Sequence, residues 1–174
     1  MKVYDETEAA RLPAPRAGDL YLLRFPDLGR GTAARERLRS GLLGLLRGWH
    51  GEAVGLCETP RGPELLGCPW RCSISYDGTD AWVALGAFAK LGCDAVLVRE
   101  FPELSAVARR YLGAAAAERI EASRLRAQTF AHAWAKHEAT LKALGLDLSE
   151  DAVVTALTCH YHRQTQAVVA VVAE

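Results

Sequence analysis

The stretch "FAHAWAKHEATLKALGLDL", residues 130–148, brings His137, Glu138 and Lys142 together over little more than one helical turn. A carboxylate can take a proton, a lysine can hold phosphate as a fixed cation, and a histidine can do either near neutral pH. A second carboxylate, Asp94, interrupts the apolar run "LGCDAVLV". A carboxylate in such a run must be paired, hydrogen-bonded or bound to a metal. A strand acid and a helix acid with basic residues nearby are the parts of a magnesium–phosphate site. Mg²⁺ takes oxygen ligands, often only one or two carboxylates, and completes its shell with water and substrate phosphate. The competing reading of the helix alone is an i, i+4 surface pair, Glu138 with Lys142, beside a core histidine.

Those residues need elements to hold them. At about 100° per residue, Phe130, Trp134, Leu141 and Leu144 form one apolar stripe with His137 inside it. Glu138 and Lys142 share a flank of that helix, and Lys136 points to the opposite side. The segment from Ala115 to Ala143 is strongly helix-forming, with Gly145 as its stop. Leu104, Val107, Ala108 and Tyr111 predict an earlier helix. "DLYLLRF" (19–25) reads as a strand, and residues 33–47 as a helix with Leu38, Leu42, Leu45 and Leu46 on one side. "GLCETPRGPELLGCP" is punctuated by proline and glycine and reads as loop or extended chain. "RCSISY", the turn "DGTD" and "AWVALGAFA" read as a hairpin. "LGCDAVLV" is a further strand. In "AVVTALTCHYH", Val153, Thr155, Leu157, Cys159 and Tyr161 alternate onto one side, and "AVVAVVA" is apolar throughout, as in a strand buried on both faces. The order is strand, helix, two strands, then strand, helices, two strands. This predicts an α+β fold of two similar α+β halves, residues 1–90 and 91–174, with a seam near Lys90.

Formal net charge is zero over 174 residues, so nothing global points to nucleic acid or an anionic membrane. Eight arginines in the first fifty residues make that part locally basic, either as solvated helix surface or as a site for an anion. No apolar run is long enough to span a bilayer, and "MKVYDETEAARL" lacks the apolar core of a signal peptide. The five cysteines read as reduced thiols in a cytoplasmic protein. "CPWRC" with His160 and His162 is a weaker zinc reading, without finger spacing. Arginine- and alanine-rich composition with four lysines suggests a GC-rich bacterial source.

The motifs together resemble the 4′-phosphopantetheinyl transferases, in particular the two-halved, single-chain type that activates peptide and polyketide synthases. "GCDAV" (Gly92 to Val96) is similar to that family's "G-[VI]-D-x-[ED]" strand, and "WAKHEATLK" (Trp134 to Lys142) to its "W-[ST]-x-K-E-[SA]-x-x-K" helix. Upstream, "RGPEL" (Arg61 to Leu65) and "SISYDG" (Ser73 to Gly78) resemble "G-K-P" and "S-x-S-H-[ST]-x-G". "RRYLG" (Arg109 to Gly113) resembles "R-F-F", and "RERLRSGLLGLL" resembles the N-terminal arginine helix. The resemblance runs in order over most of the chain from about Arg30. The departures are His137 for the lysine of "K-E", Tyr76 for the histidine, Val96 for the second acid of "D-x-E", and Gly62 for the lysine of "G-K-P", with Arg61 beside it.

The resemblance implies transfer of 4′-phosphopantetheine from coenzyme A to a serine of an acyl or peptidyl carrier protein, by a cytoplasmic, magnesium-dependent monomer of fatty acid or polyketide biosynthesis. Asp94 and Glu138 then match metal ligands. Glu138 is also the base for the serine proton, and Lys142 and His137 face the phosphates. Arg35, Arg39, Arg61, Ser75, Tyr76 and Lys142 match positions near coenzyme A. The alternative is a non-catalytic relative that binds coenzyme A or a carrier protein. The resemblance expects Asp94 and Glu138, 44 positions apart (138 − 94), to bring their carboxylates close enough to share one ion, facing a cleft between the halves.

Overall fold

The computed structural model describes residues 1–60, 62–149, 157–164 and 166–174. It is a mixed α+β structure with several sheets. The first is four-stranded, in the order β1 (Val3–Asp5), β2 (Leu20–Phe25), β6 (Asp80–Gly86), β5 (Arg71–Asp77). β1 runs parallel to β2, and the other neighbours are antiparallel. β3 (Gly55–Thr59) and β4 (Gly62–Leu66) form a separate hairpin. β7 (Leu91–Leu97), β9 (Ala167–Ala173) and β8 (Cys159–Arg163) form an antiparallel three-stranded sheet in that order. The helices are α1 (Glu6–Ala9), α2 (Gly31–His50), α3 (Leu104–Leu112), α4 (Ala114–Glu121) and α5 (Arg126–Leu144).

Period-two alternation decides what each sheet face touches. Tyr21, Leu23, Phe25, Val83 and Leu85 turn toward α2, whose Leu38, Leu42, Leu45 and Leu46 are buried as their spacing predicts. Leu22, Trp82 and Ala84 point the other way, into a cluster with Leu91, Cys93, Ala95, Val169 and Val171 of the second sheet. The remaining face of that sheet, with Val168, Ala170 and Val172, packs on Ala131, Ala135 and Ala139 of α5. The layers therefore run α2, sheet, sheet, α5. β9, apolar throughout, is buried on both faces, in agreement with its composition.

One local expectation, a continuous helix-forming segment from Ala115 to Ala143, is corrected, and the other segments gain detail. The proline- and glycine-rich stretch is a paired hairpin, Gly55 opposite Leu66 through Thr59 opposite Gly62, with Leu56 and Leu65 packed on the α2 core. The N-terminal Val3–Asp5 segment, too short for periodicity to single out, is an edge strand. The helix-forming segment from Ala115 to Ala143 is two helices. Ser123 interrupts it, its hydroxyl accepting the Leu125 N–H and bonding to the Thr129 hydroxyl, a local alternative to helical hydrogen bonds. Lys90 already belongs to the β7–β9 ladder, exchanging two backbone hydrogen bonds with Glu174 and an ion pair at 2.6 Å. Of the alternating "AVVTALTCHYH" run, residues 152–156 lie outside the described residues.

Candidate functional site

Asp94 reaches its position through the alternation of β7. Leu91, Cys93 and Ala95 face the first sheet, which turns Gly92, Asp94 and Val96 toward α5. Gly92 sets the distance between strand and helix. A Cβ there would run into the Ala139 carbonyl oxygen and the Ala143 amide nitrogen, so only glycine lets α5 lie this close. The alanine face of α5 serves the same approach, and the stripe through Phe130, Trp134 and Leu141 does not include it. Glu138, next to Ala139, is carried to the rim of the strand. Gly145, in the left-handed conformation, ends the helix after Lys142 as its sequence position predicts.

Asp94 and Glu138 line one open cleft of about 460 Å³ with Asp77, Arg99, Phe101 and Trp134. One wall is acidic and the other aromatic. Val96, standing at the position of the family's second acid, lines it with methyl groups. Glu138 holds its proton more tightly than an ordinary glutamate, first because it is partly buried, then because Asp94 is near; Lys142 pulls the other way. Asp77 is raised as well, by burial first and then by Asp80 and Asp94, against Arg99. Asp94 thus acts on both Glu138 and Asp77.

Asp94 is buried, and two donors meet on a single oxygen. Lys142 Nζ donates to Oδ1 at 2.7 Å and the Ser75 hydroxyl donates to it at 2.9 Å. Lys142 is fixed further by the Cys93 carbonyl, 3.0 Å away. The i, i+4 pairing of Lys142 with Glu138 gives way to this longer-range ion pair because Asp94 is the more deeply buried acid. Lys142 also lines a second opening, of about 570 Å³, with Arg71, Trp70 and Gly145. Its ammonium is committed to Asp94 rather than pointed freely at a phosphate.

Ser75 and Tyr76 stand together in sequence but not in space. Ser73 and Ser75 turn toward β7, where Ser73 Oγ accepts the Cys93 N–H (2.9 Å) and Ser75 Oγ accepts the Ala95 N–H (3.1 Å). Tyr76 turns to the α2 side. There Arg35 and Arg39 favour its phenolate, while burial, the larger effect, raises its pKa. Arg39 bonds Glu58 of the β3–β4 hairpin at 2.6 Å. Arg35, Arg39 and Tyr76 therefore form a patch separate from the acidic cleft, and Arg61 lies outside the described residues.

His137 is partly buried, its ring 6.4 Å from that of Trp134. Its Nε2 is enclosed and has no hydrogen-bond partner among the described residues. Burial lowers its pKa, so it is the neutral imidazole at pH 7. It does not line the acidic cleft. Lys136 lies on the other side of the helix, near Cys159 of β8, whose thiol burial pushes up in pKa against the smaller opposing pull of Lys136.

Asp77 and Arg99 were missed as cleft residues. The alternation Ser73, Ser75, Asp77 along β5 is the signal that places Asp77 beside Asp94; nothing in the sequence singles out Arg99. Among the described residues no group of three His, Cys, Asp or Glu side chains gathers to hold a metal ion, at the cleft or around "CPWRC", and all five cysteines are free thiols. Among the same residues no helix is long and apolar enough to cross a membrane. No protein-family model matches the chain, and no curated protein matches it.

Proposed function

We propose that the chain consists of two similar halves of the 4′-phosphopantetheinyl transferase kind, residues 1–90 and 91–174, and that it transfers 4′-phosphopantetheine from coenzyme A to a carrier-protein serine. Supporting the two halves is a shared connection: β2, α2 and the β5–β6 hairpin give the order β2-β6-β5, while β7, α5 and the β8–β9 hairpin give β7-β9-β8. The observation that carries the function is the meeting of Asp94 and Glu138 on one cleft. A base works best when its pKa lies near the working pH, and the upward shift of Glu138 moves it in that direction. In this reading Glu138 takes the serine proton, the serine oxygen attacks the phosphorus that bears the pantetheine arm, and the bond to 3′,5′-ADP breaks. The aromatic wall of Phe101, Phe130 and Trp134 suits the less polar arm.

A magnesium ion at Asp94 fits the described residues poorly. One oxygen of Asp94 already carries an ammonium and a hydroxyl, and Val96 offers no oxygen. No step above is routed through a metal. The second reading, a non-catalytic relative that binds coenzyme A or a carrier protein in the cytoplasm, is favoured by the neutral, enclosed His137.

Incubation with coenzyme A and a panel of apo carrier proteins, read by mass spectrometry, separates the two. A carrier that gains one phosphopantetheine supports the transferase. Coenzyme A binding without any mass gain favours the binding protein. Neither binding nor transfer overturns both.

A further inference from the structure

We propose that the Lys142 ammonium is the resident cation of the Asp94 carboxylate, so that the acidic cleft engages its ligand without a divalent metal. This rests on the transferase-like reading only in supposing that the ligand is a phosphate ester; the identity of the cation stands on geometry alone. A buried carboxylate needs a compensating charge. Lys142 supplies it at 2.7 Å and is held there by a second acceptor, the Cys93 carbonyl at 3.0 Å. The ammonium is thus fixed at two points, both on β7, and carried by the last turn of α5. Ser75 adds a hydroxyl to the same oxygen. That hydroxyl is itself oriented, since its oxygen accepts the Ala95 N–H.

Ligand count argues in the same direction. A divalent ion here would need Asp94 together with other oxygens at short range. Val96, on the same face of β7, presents methyl groups. The nearest further acids, Glu138 and Asp77, do not form a metal-holding group with Asp94 among the described residues. Mg²⁺ also gives up its water reluctantly, whereas a lysine tethered to the adjoining helix needs no capture from solution. One positive charge next to Asp94 lowers the repulsion that a phosphate ester would meet from the acidic wall. It also opposes, without cancelling, the burial and, after it, the Asp94 charge that keep Glu138 basic.

The test uses the whole chain labelled with ¹⁵N and Mn²⁺ as the probe. Mn²⁺ broadens the amide signals of residues close to it. In the wild-type protein, Mn²⁺ should leave the amides of Gly92–Val96 and of Glu138 unbroadened. In Lys142→Met, which keeps the apolar stem but removes the charge, Asp94 loses its cation and the protein should melt lower at pH 7, while Asp94→Asn in that background should recover much of the loss, the two changes being far from additive. Selective broadening of Gly92–Val96 in the wild type overturns the proposal, as do additive losses in a folded Lys142→Met, Asp94→Asn double variant. Should Lys142→Met not fold, the wild-type spectrum decides alone. Failure of carrier-protein transfer, a separate measurement made without Mn²⁺, would leave this result standing.

Discussion

One hydroxyl joins the two sheets at the site: Ser75 of β5 donates to Asp94 Oδ1 at 2.9 Å and accepts the Ala95 N–H of β7 at 3.1 Å. Ser73 repeats half of this arrangement two residues earlier, accepting the Cys93 N–H at 2.9 Å. Two serines thus serve in place of a regular ladder between β5 and β7. The position of Asp94 depends on both strands.

Ser75→Ala removes the acceptor of a buried amide and one donor to a buried carboxylate. A loss of about 1–3 kcal/mol is expected, the usual range for a buried polar group left unpaired. Ser73→Ala should cost less, since no carboxylate is involved. Urea unfolding of the two variants checks the order. Equal losses would mean that the Asp94 contact contributes nothing.

Gly92→Ala should destabilise the fold by up to about 3 kcal/mol, the range for forcing extra atoms into a packed contact. The added methyl meets backbone of α5, which cannot swing aside as a side chain can. Because α5 carries Glu138 and Lys142, coenzyme A binding should weaken along with stability. Gly44→Ala, in the interior of α2 with open space around the added carbon, is the control: it should raise stability by about 0.5–1 kcal/mol and leave coenzyme A binding unchanged.

Glu138→Gln should separate stability from activity. The folded-state pKa of Glu138 lies above its ordinary 4.5, so the folded chain holds that proton more tightly than the unfolded one. Ionisation therefore opposes folding increasingly as pH rises above 4.5, and the cost stops growing once the pH has passed the raised folded value. The glutamine variant should be more stable than wild type at pH 7, with the advantage gone below pH 4.5. Transfer to a carrier protein should fall by about 10²-fold or more, as for loss of a general base. Thermal melts at pH 4 and pH 7 and a single-turnover assay check the two halves.

His137 gives the opposite sign. Burial holds its folded pKa below the ordinary 6.5, so the unfolded chain binds the extra proton first. Its contribution to stability is complete above pH 6.5 and is lost as pH falls through that value toward the folded pKa. His137→Gln should flatten part of the acid side of the stability profile; His132 and His162, also lowered mainly by burial, supply the rest. A profile unchanged between pH 7.5 and pH 5 in the variant would show that His137 is already solvated.

His137→Lys tests the transferase reading from the same position. A lysine restores the permanent cation of the resembling motif, and transfer should be preserved or increased, with any fall in rate between about pH 6 and 8 flattened. A folded His137→Lys protein that binds coenzyme A and transfers nothing would move the function to the binding-protein reading.

Local pattern determined much of this molecule before any contact was known. Apolar period fixed the α2 leucine face, and continuous apolarity marked β9 as a strand covered on both sides. Asp94, Glu138 and Lys142 stood out because a charge within or beside an apolar run must be explained. What the pattern could not reach was pairing between segments far apart in the chain. Lys142 is one turn from Glu138 in sequence, yet it bonds Asp94, because a buried carboxylate across the interface is the stronger partner for an ammonium. Ser75 and Tyr76 are adjacent, yet the strand sends one to the buried Asp94 carboxylate and the other to the arginine patch. The alanine face of α5 carries no strong hydrophobic signal. Its burial follows from Gly92, a residue of another element whose missing side chain lets the helix close on the sheet.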